Sequence, residues 1–221
     1  MTVADLAGLG GLGFVLIAVL VNIVHVRGRL PLPASGRSLA ETTEDYASVG
    51  AALRTPSVLA PLSWLCLTVF AAGAVTAAWH GSSDAGTSVA RTWALVGFGG
   101  VLLQNGTFAV VEALRFALAE AATRARDTVA GLWALSTVLF GFNQVFLATA
   151  LLGFTVAGSA HGLLPVWHVV LGCASAALLL VSSSAAPFTT DGAHRLSVLG
   201  LVGWLGWIVW IAVHSMYLLG M

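Results

Sequence analysis

Six runs of apolar residues, each long enough to cross a bilayer as a helix, set the limits on what this chain can fold into. They cover residues 5–26, 57–79, 92–116, 129–153, 165–186 and 196–219. A hydrocarbon core is crossed by about 20 residues of helix. Backbone facing lipid finds no water to bond with, so each run must satisfy its own amides as an α-helix. The expectation is an all-α, polytopic membrane bundle of six transmembrane helices, organised as one integral-membrane domain over residues 1–221. Composition agrees, since 58% of the residues are hydrophobic and only 8% charged, against roughly 25% charged in a soluble domain. Pro31, Pro33, Pro56, Pro165 and Pro187 fall in connections or at helix starts, and Pro61 enters only the first turns of the second run.

The charges carry topology. Nine Arg balance nine Asp and Glu, and Lys is absent. Zero net charge gives no footprint for nucleic acid, and the absence of Lys excludes a Schiff-base lysine. The tail MTVAD before the first run has no positive charge, so the run is expected to be retained as a span and not removed as a signal peptide. With the N-terminus outside, the connections carrying Arg27, Arg29, Arg37, Arg54, Arg115, Arg124, Arg126 and Arg195 are cytoplasmic and only Arg91 is external. The positive-inside rule therefore predicts a multi-pass protein of the cell membrane with both termini outside.

One connection is longer than a turn. Residues 38–54 begin with a capping-box pattern, Ser38 and Glu41, and place Leu39, Tyr46, Val49 and Leu53 at helical spacing. A short amphipathic cytoplasmic helix is expected, with Glu41, Glu44 and Asp45 on its wet side. These carboxylates read either as a solvated face or as candidate catalytic groups.

Polar side chains are costly inside a bilayer, so their angular placement marks the bundle interior. At 100° per residue, Gln104, Asn105, Phe108, Glu112 and Arg115 form one stripe on the third span. Trp133, Ser136, Phe140, Asn143 and Gln144 share a face of the fourth, and the two stripes are expected to pack against each other. The amides also suit simple interhelical hydrogen bonding. Glu112 must pair, take a proton or face water, and Arg115 three residues on offers a partner. Asn22 and His25, near the cytoplasmic end of the first span, are expected at the same level. On the sixth span Gly200, Gly203, Trp207, Trp210, His214 and Tyr217 form one arc. Leu205, Ile208, Val209, Ala212 and Met216 face lipid. Trp79, Trp93 and Trp167 lie at outer ends, as interfacial belt residues do.

Several motifs fail. Cys66 and Cys173 stand alone in different runs, and no HExxH or comparable metal spacing occurs, so no metal centre is expected from these signatures. GLGGLG at residues 8–13 matches GxGxxG without a preceding strand and reads as helix packing. His80, His161, His168 and His214 map to the outer half, His25 and His194 to the inner. His168 and His214 fit a haem, quinone or metal pair as one open reading.

The inner half thus combines a candidate acid, Glu112, with Glu41, Glu44 and Asp45 nearby. Gln104, Asn105, Phe108, Arg115, Trp133, Phe140, Asn143, Gln144, Trp207, Trp210, Asn22 and His25 are candidate substrate contacts. A carboxylic acid held away from water can protonate an alkene or epoxide, and aromatic faces stabilise the resulting cation. In length, span count and this pairing of acids with eight Trp, the chain resembles the small integral-membrane terpene cyclases that act on prenylated aromatic or indole compounds. The resemblance implies a protonation-initiated cyclase taking a lipophilic isoprenoid-type substrate from membrane lipid, with no cofactor. The DDxxD signature of diphosphate-ionising enzymes is absent, and Glu44-Asp45 is too short to replace it. Two other classes stay open: a small-molecule or proton-coupled transporter, and a haem- or quinone-associated or accessory subunit.

Overall fold

The computed structural model describes residues 1–31, 38–79, 85–188 and 196–220. Pro33, Arg37, His80, His194 and Arg195, used above for topology or as ligands, lie outside them. The elements are α1 (Val3–Arg27), α2 (Leu39–Val49), a 3-10 turn (Gly50–Leu53), α3 (Arg54–Ser57), α4 (Ala60–Trp79), α5 (Ala85–Arg124), α6 (Val129–Ala160), α7 (Val166–Ser184) and α8 (Ser197–Leu219). Six segments are long and apolar enough to cross a membrane: α1, α3 with α4, α5, α6, α7 and α8. This is a six-helix polytopic membrane architecture, as the apolar runs predict.

Local chemistry sets the starts of α1 and α2. Thr2 and Asp5 form a reciprocal capping box, with the Thr2 amide donating to Asp5 Oδ2 at 2.6 Å and the Asp5 amide to Thr2 Oγ1 at 3.1 Å. Ser38 and Glu41 do the same for α2, at 2.9 and 3.3 Å. Each box satisfies amide groups that the first helical turn leaves without partners. Between α6 and α7 the chain reverses at Gly162, whose φ of 66° is the left-handed conformation that glycine takes without a Cβ penalty.

The spanning helices form a closed ring in the order α1, α4, α5, α6, α7, α8 and back to α1. Its centre is filled by large side chains, among them Leu67, Phe70, Leu151, Phe154, Trp207, Trp210 and Ile211. Phe70 and Phe154 meet edge-on at 5.9 Å between ring centroids. The α5–α6 seam is the tightest. A Cβ on Gly153 would collide with the backbone of Gly97, and one on Gly100 with the backbone of Ala150. Small residues at such points let two helices approach closely in lipid, where dispersion contacts replace the hydrophobic effect as the driving force.

One helix boundary and the facing of two residues differ from the sequence reading. The third apolar run, 92–116, is the middle of a 40-residue helix, and the connection expected after it stays helical to Arg124. At 1.5 Å per residue α5 is about 60 Å long and α6, with 32 residues, about 48 Å. Both exceed a hydrocarbon core of about 30 Å. On the end of the bundle where α2 lies, they continue as a helical hairpin with its own apolar cluster of Leu118, Ala121, Ala122, Val129 and Trp133, joined by Leu30, Tyr46 and Leu53. Leu39, placed on the apolar face of α2 by its spacing, is instead 45% exposed; Thr42 and Tyr46 make the buried face. Ile208 is buried at 8%, because the ring interior wraps further round α8 than a single arc.

Candidate functional site

At the α2 end Glu112 is buried and held in a chain of four side chains from three helical segments. Arg115, one turn further along α5, donates from Nη1 to Glu112 Oε2 at 2.9 Å. The same Nη1 meets His25 Nε2 of α1 at 3.2 Å, while His25 Nδ1 lies 2.9 Å from the carbonyl of Val21. A guanidinium nitrogen only donates and a carbonyl only accepts. The network therefore assigns His25 the neutral tautomer with its proton on Nδ1. All three side chains are buried. A buried ion pair gains from further hydrogen bonds; His25 and Ser57 supply two, while Arg115 Nε is buried without a partner.

Ser57, the last residue of α3, closes the chain. Its hydroxyl approaches Glu112 Oε1 and also lies 2.9 Å from the carbonyl of Leu53. A hydroxyl carries one proton, so the two contacts are served in one of two ways. Ser57 donates to an ionised Glu112, or Ser57 donates to Leu53 and a protonated Glu112 donates to Ser57 Oγ. The carboxyl group has a partner in either state. That is the property a group needs if it is to gain and lose a proton without leaving its place.

On one side of Glu112 the bundle opens. A groove of about 500 Å³ runs between α3–α4 and α5, lined by Arg54, Ser57, Val58, Pro61, Trp64, Glu112, Ala113 and Phe116, with Ala60 and Ala109. Its walls are apolar apart from Arg54, Ser57 and Glu112. The volume lies within the range of small-molecule sites, roughly 300–1,000 Å³.

Tyr46 of α2 lies close enough to the network to feel the charges of Arg115 and Glu112. It is fully buried and meets Trp133 edge-on at 6.5 Å. Burial pushes its phenol up to about 12, with the Arg115 charge pulling the other way and Glu112 and Asp45 adding to the rise. The neutral phenol is thus the form that fits this position.

The remaining candidates divide. His25, Arg115 and Glu112 come together, and Trp133 reaches the same end through Tyr46. Phe108 and Phe140 pair across the α5–α6 seam at 6.5 Å. Asn105 turns away from its neighbour Gln104 and bonds α4, donating from Nδ2 to Trp64 O at 3.2 Å and Thr68 Oγ1 at 3.0 Å. Gln104 and Asn143 are buried, and Gln144 packs with Ser182 against Gly200. Asn22 is exposed and bonds its own helix at Ala18 O, 2.8 Å. Glu41, Glu44 and Asp45 line a separate surface depression with Ala40, and Glu44 pairs with Arg126 at 2.9 Å. Trp207 and Trp210 are fully buried in the ring core.

Towards the other end, Trp210 belongs to an aromatic cluster. Its ring lies 4.9 Å from His168 and 4.7 Å from His214, the imidazoles are 6.1 Å apart, and Tyr217 is 5.7 Å from His168. His168 Nε2 bonds the Trp210 carbonyl at 3.2 Å. No group of three or more His, Cys, Asp or Glu with metal-ligating geometry occurs among the described residues.

Comparison with protein-family models, curated proteins and solved structures returns no match for this chain. What the structure supports is the six-helix polytopic membrane architecture, with no family identified.

Ser57, Tyr46, Arg54, Trp64 and Phe116 are site residues that sequence reasoning missed or placed elsewhere. Tyr46 was legible as an apolar position of α2, but not as a neighbour of the Glu112 network. For Ser57 the one available signal was its place in RTPS, next to Pro56 and at the start of the second apolar run.

Proposed function

We propose that this protein is a membrane-embedded enzyme that protonates a lipophilic, isoprenoid-type molecule drawn laterally from the bilayer, with terpene cyclisation as the reaction. The observation that carries the reading is the position of Glu112. Its carboxyl group lines an apolar groove and keeps a hydrogen-bond partner, Ser57, whether ionised or protonated. A positioned general acid is worth about 10²–10⁴ in rate. Trp64 and Phe116, on the same groove, offer aromatic faces to a developing carbocation. Tyr46, buried near the network, limits the water that would quench it. Arg115 holds the carboxylate after proton release, and His25 fixes Arg115. The reading calls for no cofactor. The arginine bias supports an orientation with both termini outside, which puts α2 and the groove mouth on the cytoplasmic side.

The test is Glu112→Gln, which keeps the shape and removes the acid. Membranes containing the variant are given prenylated aromatic or indole compounds. Cyclised product should fall at least a hundredfold while the protein accumulates to the wild-type level. Undiminished product from the variant removes Glu112 as the acid. Solute uptake into sealed vesicles that depends on Glu112 and on a proton gradient, with no product formed, replaces the enzyme with a transporter.

A further inference from the structure

We infer that Arg54 is the anchor for a carboxylate head group, so that the molecule occupying the groove is an isoprenoid-type acid whose tail runs from Arg54 towards Trp64. The inference rests on the reading of the groove as a substrate site and adds the polarity and charge of its occupant.

Polarity is distributed unevenly along the groove. Its polar residues are Arg54, Ser57 and Glu112; Pro61, Trp64 and Ala109 make an apolar stretch on one side of Glu112, and Ala113 and Phe116, later on the antiparallel α5, flank the Arg54 side. At about 1.5 Å per residue, Arg54 to Ser57 is roughly 5 Å along α3, and Trp64 lies beyond the turn that joins α3 to α4. An occupant matched to this gradient has one polar end and one greasy end. It lies with its polar end where a bilayer's polar region begins, since Arg54 opens the apolar segment that ends at Trp79.

The charge count decides the head group. Arg115 does not line the groove, and its charge is met by Glu112 whenever that group is ionised. Among the described residues Arg54 makes no ion pair, and its side chain is exposed. The groove therefore carries one uncompensated positive charge. A single carboxylate cancels it and matches the planar fork of a guanidinium in two parallel hydrogen bonds. A phosphate or diphosphate brings further negative charge, and no second free cation lines the groove to meet it. The head would then sit about one helical turn from Ser57, leaving the adjoining carbons beside Glu112.

The test uses the full chain in nanodiscs of phosphatidylcholine. The probes are a tritiated fifteen-carbon isoprenoid acid and its alcohol, methyl ester and monophosphate. The wild type should bind the acid at least tenfold more tightly than the alcohol or ester. Arg54→Gln should erase that preference with little change for the alcohol, Arg54→Lys should retain part of it, and Arg126→Gln should retain all of it. Equal binding of acid and alcohol, or an acid preference that survives Arg54→Gln, overturns the anchor. Tighter binding of the monophosphate overturns the carboxylate. If a neutral prenylated compound is cyclised in a Glu112-dependent way without any acid preference, the enzyme reading stands and the anchor falls. If no probe binds the wild type, the anchor falls; the enzyme reading falls with it only if prenylated aromatic or indole compounds also give no Glu112-dependent product.

Discussion

Tyr46 meets Trp133 edge-on, 6.5 Å between ring centroids, and this contact pins a surface helix near the one buried ion pair among the described residues. Replacing Tyr46 with Ala removes a fully buried ring, a change that costs about 3–5 kcal/mol in a packed core. Amide exchange in α2 should quicken by at least tenfold, while exchange in α7 and α8 stays as it was. Tyr46→Phe should be neutral or stabilising, because the phenol oxygen has no hydrogen-bond partner and an unpaired buried polar group costs about 1–3 kcal/mol.

The same ring sets a pH limit. Tyr46 titrates at about 12 in the folded protein, against about 10 when exposed. Its burial therefore contributes stability that is complete below about pH 10 and is lost as pH rises towards 12. The chain has two tyrosines. With Tyr217→Phe, the tyrosinate absorbance belongs to Tyr46 alone, and its midpoint should lie near 12. A midpoint near 10 would mean that Tyr46 is not buried.

Ser57 should matter to rate more than to binding. Ser57→Ala leaves Glu112 Oε1 without the partner that serves both protonation states. We expect kcat to fall by about tenfold or more with KM little changed, the pattern of an interaction used in the reaction step. Ser57→Thr, which keeps the hydroxyl, should restore most of the rate and the wild-type pH profile.

Glu44→Gln separates the α2 carboxylates from the Glu112 site. The Glu44–Arg126 pair is exposed, and such pairs are worth under about 1 kcal/mol. Both thermal stability and product formation should stay near wild type. A loss of product comparable to that of Glu112→Gln would bring the acidic face of α2 into the chemistry.

Gly153→Leu tests the α5–α6 seam. A side chain there meets the backbone of Gly97, which cannot step aside as a flexible side chain can. The helices must part, and the detergent-solubilised protein should lose at least 10 °C in its unfolding midpoint or fail to accumulate. Gly131→Ala, at a glycine whose Cβ would meet nothing within 4 Å, is the control and should be neutral or slightly stabilising.

The spans were legible because hydropathy reports burial in lipid directly, and Glu112 with Arg115 because i and i+3 share a helix face. His25 followed from its depth in the first span. What escaped depends on contacts distant in sequence. Gln104 and Asn105 differ by 100° on α5, enough for one to lie inside and the other to bond α4, and no single-helix projection says where a neighbouring helix begins. The extension of α5 past residue 116 was hidden because hydropathy drops at Glu120 and Arg124, although Ala and Leu there favour helix. Ser57 reaches Glu112 only because α3 folds against α5, a pairing 55 residues apart in the chain.

The ring order has a consequence for biosynthesis. α1 is made before α8, yet its neighbours are α4 and α8, and its Gly8 and Gly11 lie against Leu219 and Ser215. One flank of α1 must wait in lipid until α8 leaves the ribosome. Assembly is therefore of high contact order, and a nascent chain arrested after α7 leaves an open arc with unmatched glycine faces for quality-control proteases to find.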